Sequence, residues 1–295
     1  MTDEADGRWI VETVTEAQGF RTALAASGPV TTVEGVHDLV LFDNAAFGRV
    51  MVLDGAIQLT TADEFIYHEA MAHVGLLAHG DVRRVLIIGG GDGGIAREVL
   101  RHPCVEAVTL VEIDRAVIDL AAAHLPQVSA GAFDDPRLAI VIEDGARFVS
   151  RTEARFDAVI VDSPDPIGPG AALFGRDFYQ CCSGLLADGG VMITQSGMPF
   201  LNQDWFARHA SDLAAVFPAR RFFLTTVPTY TGGPMAHGFA THDPAVFSVS
   251  EEALAARLAA AGFAPFYWTP EVHRAAFALP GYIARLVGDG RAAAA

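Results

Sequence analysis

Short β-type runs fill the first sixty positions: Trp9-Ile10-Val11, Leu39-Val40-Leu41-Phe42, Arg49-Val50-Met51-Val52-Leu53 and Ala56-Ile57-Gln58-Leu59. Glycine and Asp-Gly breaks such as Asp54-Gly55 separate several of them, which predicts a small antiparallel β domain over residues 1–62. Over Glu64 to Leu77, the apolar positions Phe65, Met71, Val74 and Leu77 recur at helical spacing, so a helix should bridge into a second domain. From Arg84 the pattern changes to Val85-Leu86-Ile87-Ile88, Val108-Thr109-Leu110-Val111, Leu138 to Ile142, Ala158-Val159-Ile160-Val161 and Val191-Met192-Ile193-Thr194. Near-continuous apolar runs with helix-length segments between them describe a parallel sheet covered on both faces. The expected fold class is α/β, with a Rossmann-like doubly wound parallel sheet over residues 63–287. A frayed alanine-rich tail at 288–295 completes the expected organisation.

Composition then limits the chemistry. Of 295 residues, 51% are hydrophobic, enough for a sizeable core. The formal net charge of -16 repels phosphate backbones and enriches small cations, so nucleic acid is not an expected partner. All 20 basic residues are arginines. The absence of lysine excludes a Schiff-base mechanism, a pyridoxal-phosphate lysine and a P-loop lysine. The acidic start from Met1 to Trp9 carries no signal-like apolar segment, and no apolar run approaches the ~18 residues a membrane span needs. A cytoplasmic protein without membrane contact is expected. Cys104, Cys181 and Cys182 have no metal-ligand spacing and the histidines form no H-E-x-x-H pattern, so no metal is expected either.

Three successive strand ends carry candidate ligand groups. The first runs into Gly89-Gly90-Gly91-Asp92-Gly93-Gly94, where glycines allow a tight turn and close ligand approach ahead of a helix N-terminus. Glu112 ends the next strand, where a carboxylate can accept from both ribose hydroxyls, and Asp144-Gly145 follows the third. Helix packing and N-capping are the structural alternatives for the glycines and for Asp144. Together the three ends point to an adenosine site, for a dinucleotide or an S-adenosyl compound. Asp92 discriminates, because its anion opposes a pyrophosphate or an amino-acid carboxylate at the turn; like charges about 4 Å apart cost on the order of 1–4 kcal/mol there. It favours a nucleoside bearing an amine and no carboxylate, the shape of decarboxylated S-adenosylmethionine. An Asp capping the following helix is compatible with that role.

The fourth strand ends in Asp162-Ser163-Pro164-Asp165-Pro166-Ile167-Gly168-Pro169-Gly170, two carboxylates stiffened by prolines beside the nucleoside mouth. With this segment the chain resembles the spermidine synthases, the polyamine aminopropyltransferases. The resemblance runs through Leu53 to Gln58, Asp63 to Glu69, the Gly89 to Gly94 turn, Val111-Glu112-Ile113-Asp114, Asp162 to Gly170 and Val227-Pro228-Thr229-Tyr230. It implies that Asp162 accepts the proton, and that Asp165, Tyr67, His68, Gln195 and Tyr230 hold the amine acceptor together with Asp92, Ser163 and the Pro164 position. Glu112, Asp144, Gly145 and Pro169 would hold the adenosine and thioether part, with Gln58 and His37 nearby, and Asp92 would take the aminopropyl amine. The implied reaction is aminopropyl transfer from decarboxylated S-adenosylmethionine, a co-substrate, to putrescine, with no cofactor. Alternative acceptors are cadaverine, agmatine and spermidine. The partners implied are these small molecules and a second copy of the chain, in a homodimer or homotetramer.

The same resemblance exposes departures and competing functions. His37 stands where the family has a glutamine, Pro164 where it has Ser or Thr, and Thr231 to Phe239 lacks a tryptophan common in the acceptor loop. A methyltransferase shares the fold but predicts a neutral residue at position 92 and no paired aspartates. A catalytically weak polyamine-binding homologue would be argued from His37 and Pro164 alone. The chemistry also sets a problem: an ammonium with a pKa near 10 leaves about one amine in 10³ free at pH 7, while an ordinary aspartate titrates near 3.9. Asp162 therefore needs partial desolvation to narrow the gap.

Overall fold

The computed structural model describes residues 8–13, 16, 19–163 and 168–288, with backbone only at 168 and 169. The expected fraying at 289–295 lies outside these residues. β1 (Trp9–Val11) pairs antiparallel with β2 (Ala23–Ala25). β3 (Thr31–Glu34), β4 (Asp38–Asn44), β5 (Gly48–Leu53) and β6 (Ala56–Thr60) form a four-stranded antiparallel sheet in chain order. Asp54 and Gly55, both at positive φ (49° and 79°), turn β5 into β6, as a two-residue hairpin requires. Alternation gives this sheet two uses. Leu39, Leu41, Met51 and Leu53 pack on Val117 and Leu120 of α3 (Arg115–His124), while Phe42, Val50, Val52 and Ile57 make a second cluster. The small sheet is thereby fastened to the larger one.

That larger sheet has seven strands in the order β12 (Ala219–Thr225), β13 (Met235–Thr241), β11 (Leu186–Gln195), β10 (Phe156–Asp162), β7 (Arg84–Gly89), β8 (Ala107–Glu112), β9 (Leu138–Ile142). From β11 to β9 neighbours are parallel, and β13 runs antiparallel to both β11 and β12. Val85 and Ile87 of β7 face a core with α1 (Glu64–His79) and α2 (Gly94–Leu100), while Leu86 and Ile88 face one with α6 (Arg176–Leu185) and α7 (Gln203–Val216). Burial on both faces explains the uninterrupted apolar runs. The chain winds outward from β7 through β8 to β9 and from β10 to β11, so the order reverses between β7 and β10, where open α/β sheets leave a ligand crevice.

α1 spans 16 residues, as its apolar spacing predicts, and is buried from Tyr67 to Ala78. Strands β2, β3, β12 and β13 have no counterpart in the sequence reading. β13 is the instructive one: Met-Ala-His-Gly-Phe-Ala-Thr has no apolar run, yet lies between two strands and is buried nearly throughout. Phe222, Phe223 and Trp268 are buried, whereas Phe266 is 83% exposed and touches Phe65 edge-on. Phe277, in the segment ending at Pro280, packs on the sheet beside Phe223 and Phe239.

The C-terminal segment is tied to α1 through one carboxylate. Buried Glu69 accepts the backbone N–H groups of Phe266, Tyr267 and Trp268 at 2.7, 2.8 and 2.8 Å. Glu69→Ala would strand three donors, the one on Trp268 fully buried, and we expect about 2 kcal/mol of lost stability, read as a lower urea midpoint.

Candidate active site

The crevice between the two sheets brings the sequence candidates into one cavity. Asp92 comes from the glycine turn, Glu112 from the end of β8, Asp144 and Gly145 from the start of α5 (Gly145–Arg151), and Asp162 and Ser163 from the end of β10. His37, Gln58, Tyr67, His68, Gln195 and Tyr230 line the same space. Pro164 and Asp165 fall outside the described residues, as does the side chain of Pro169. The cavity wall also includes Glu12 and Met198, which carried no motif in the sequence, and Asp54 and Thr231, whose segments were singled out but which were not named as site residues. Among the described residues no group of three or more His, Cys, Asp or Glu side chains suits a metal ion, and no helix is long and apolar enough to cross a membrane.

The turn after β7 is glycine-rich for steric reasons. Gly89 has φ 79°, and a Cβ there would lie 1.9 Å from the Asp162 carbonyl oxygen. At Gly91 a Cβ would sit 2.8 Å from the Glu112 carboxylate. The first contact shows that β7 and β10 must approach until the turn touches the backbone of Asp162, which only glycine allows. Asp92 accepts the Gly94 N–H at 2.6 Å with Oδ1, so its capping and functional readings coexist. Asp144 likewise caps α5 through the Arg147 N–H at 2.9 Å while lining the cavity.

Glu112 is fixed by its own loop. Glu112 accepts the Asp114 N–H at 2.9 Å, and Asp114 in turn accepts the His37 and Ala116 N–H groups at 3.0 and 2.9 Å. His37 Nδ1 lies 2.6 Å from Asp54 Oδ2, which binds the imidazole that replaces the family glutamine to the β5–β6 hairpin. Burial raises the Glu112 pKa above the ordinary glutamate value.

Asp162 is the electrostatic centre. Tyr67, the first buried residue of α1, donates its hydroxyl to Asp162 Oδ1 at 2.5 Å. Desolvation, and then the negative charge of Asp92, push the Asp162 pKa up to about 7, against the lowering effect of the Tyr67 hydrogen bond. The same surroundings raise Tyr67 well above an ordinary tyrosine, so it stays a neutral donor. Across the cavity, Gln195 donates to the Ser163 carbonyl at 3.0 Å and accepts the Gly197 N–H at 2.5 Å, and Tyr230 donates to the Gln58 carbonyl. The Ser163 hydroxyl is buried and finds no hydrogen-bond partner among the described residues. The arrangement can therefore accept a proton near neutral pH at Asp162 and receive cationic groups at Asp92, beside a carboxylate suited to a ribose.

Comparison with known proteins agrees with this geometry. Residues 64–250 match the model of the spermine/spermidine synthase domain, and residues 9–61 that of the spermidine synthase tetramerisation domain. A polyamine aminopropyltransferase from Ruegeria sp. is 53% identical over 248 residues, covering 84% of this chain and 87% of that protein. Polyamine aminopropyltransferase 1 from Pseudomonas aeruginosa is 47% identical over 272 residues, covering 92% and 95%. Among solved structures, a spermidine synthase in complex with the transition-state analogue AdoDATO superposes with a TM-score of 0.88 at 36% identity, covering 98% of each chain. The Thermotoga maritima spermidine synthase gives 0.85 at 34%, again over 98% of each.

The charge coupling is testable without substrate. In carbon-13 carboxyl NMR, Asp162 should titrate near pH 7. Asp92→Asn removes a neighbouring anion and should move that midpoint to lower pH, while Tyr67→Phe removes a hydrogen bond to the carboxylate and should move it higher.

Proposed function

The chain belongs to the spermine/spermidine synthase family, and from that premise we propose that it transfers the aminopropyl group of decarboxylated S-adenosylmethionine to putrescine, giving spermidine and 5'-methylthioadenosine. The observation that carries the assignment to this chain's own residues is Asp162, a half-buried carboxyl with a pKa pushed up to about 7, facing the cavity beside Asp92. The family's reaction needs a base of that strength next to a site for cations.

In this reading Glu112 receives the ribose hydroxyls and Asp144-Gly145 lie against the adenine side. Asp92 takes the terminal ammonium of the aminopropyl arm, and the prolines after Asp162 shape the rim. The acceptor lies between Tyr67, Gln195, Tyr230 and Asp162, and Asp165 belongs with them as an acceptor residue by its place in the motif. The attacking amine nitrogen forms a bond to the carbon beside the sulfonium, the carbon–sulfur bond breaks, and sulfur keeps the electron pair as a neutral thioether. The nitrogen loses its proton to Asp162 and thence to solvent. With the carboxyl near 7 rather than 3.9, the mismatch with an ammonium near 10 shrinks from about six pK units to about three. Holding the nitrogen in line supplies much of the remainder. No cofactor enters this scheme.

The match to the tetramerisation domain supports a homo-oligomer, assembled through the N-terminal strands. Trp9 and Val11 of β1, 62% and 39% exposed, offer apolar surface there.

Two measurements test the reading. Purified protein supplied with the donor and a panel of putrescine, cadaverine, agmatine and spermidine should release methylthioadenosine fastest with putrescine; no release with any amine overturns the function. Asp162→Asn should lower kcat by at least about 10²-fold while methylthioadenosine still binds, because it removes the proton acceptor without changing shape. The pH dependence has a definite sign. Below about pH 7 the free enzyme's Asp162 is protonated, so kcat/KM should fall as pH drops through that value. The cationic donor lowers the Asp162 pKa once bound, so the acid limb of kcat should lie at lower pH than that of kcat/KM.

A further inference from the structure

One group of buried charges touches the cavity from behind and has no part in the scheme above. Glu64 opens α1, where an acid would ordinarily be solvated near the helix N-terminus. Its side chain is instead only 10% exposed, because Arg97 of α2 reaches across and donates Nη1 to Oε1 and Nη2 to Oε2, both at 2.9 Å. The fork fixes the plane of the carboxylate. Arg97 is itself anchored by Glu98 at 2.7 Å and by the Val128 carbonyl at 2.6 Å.

Four residues along the same helix face, His68 places Nδ1 2.5 Å from Glu64 Oε2 and Nε2 3.4 Å from Asp92 Oδ1. The imidazole is pressed on the glycine turn: a Cβ at Gly94 would sit 2.2 Å from the ring. Asp92 is flanked by Gly91 and Gly93, so its own backbone gives the carboxylate little guidance. Oδ1 is engaged by the Gly94 N–H and by His68, and Oδ2 has no hydrogen-bond partner among the described residues. We propose that Glu64, gripped by Arg97, is a positioning residue that holds the His68 imidazole against Asp92 and so aims the free Asp92 oxygen at the ammonium of the aminopropyl arm. The inference rests on the donor reading above.

The charge state fits. Burial opposes protonation of His68, but the Asp92 charge and the Glu64 hydrogen bond overcome it and raise its pKa to about 9, with Arg97 opposing and Asp162 the remaining charge nearby. A protonated His68 therefore donates Nδ1–H to Glu64 at neutral pH and stands as an ion-pair partner 3.4 Å from Asp92. A competing role is plain glue between α1 and α2. The far branch of the cluster performs that task alone: Glu98 binds His73 at 3.1 Å and Arg101 at 2.8 Å without touching Asp92.

Steady-state kinetics of Glu64→Gln separate the two roles. We expect its KM for the donor to rise about 10-fold, the acceptor KM to stay within about 2-fold, and the inhibition constant of methylthioadenosine, which lacks the aminopropyl arm, to stay at its wild-type value. His68→Gln should show a rise in donor KM with the same constant methylthioadenosine term, and the double variant no more than the larger single loss, since both act through one path. Arg101→Gln, on the far branch, should leave all three constants unchanged. If Glu64→Gln does not fold, Arg97→Lys, which keeps the charge and loses the fork, must show the same split. An unchanged donor KM, or a donor KM and methylthioadenosine constant that rise together, overturns the assignment. Failure of the donor reading itself looks different: wild-type protein would then release no methylthioadenosine at all.

Discussion

Asp92, Asp162 and Glu112 meet at the carboxyl ends of three adjacent strands and line one cavity. Every other feature of the site follows from managing that repulsion. Asp162 answers it by a raised pKa, to which Asp92 contributes after burial. His68 answers it by holding a proton. A cationic donor and a polyamine acceptor relieve it from outside, so the site stores a preference for cations in the form of uncompensated negative charge. A bulk charge of -16 is only a background to this local effect.

Backbone geometry makes the convergence possible. β7 and β10 lie side by side because the winding order reverses there, and the glycine turn after β7 lets the chain touch the Asp162 carbonyl. α1 then lies over the strand ends and contributes three functions from one helix: Tyr67 to Asp162, His68 to Asp92, and Glu69 to the C-terminal segment. The small antiparallel sheet closes the opposite wall through Gln58, Asp54 and His37, and its packing on α3 keeps that wall in register with Glu112. A helix that serves Asp162, Asp92 and the core at once has few neutral substitutions.

Much of this was legible in the chain. Parallel strands buried on both faces leave continuous apolar runs, and their ends mark where ligand groups fall, so Asp92, Glu112, Asp144 and Asp162 were recognisable from periodicity and turn chemistry. Tyr67, His68, Gln195 and Tyr230 were recognisable only through family resemblance, because no local pattern distinguishes them from core aromatics and polar strand residues. β13 escaped notice because its burial is imposed by its neighbours β11 and β12 and not by its composition. Glu12 escaped because a lone acid near a strand end has no signature until the strand is placed against the cavity, and Asp54 because its turn with Gly55 accounts for it without a ligand.

The sequence alone determined the fold class, the strand ends and the types of group available at each, since periodicity and glycine placement are local properties. It also determined the reaction family, through motifs whose order and spacing are linear. Only the tertiary structure decided which carboxylate is raised toward neutrality, which histidine is protonated and which oxygen of Asp92 is engaged by the protein. Those are consequences of burial and of distances between residues such as Tyr67 and Asp162, or Glu64 and Arg97, that lie 95 and 33 positions apart along the chain.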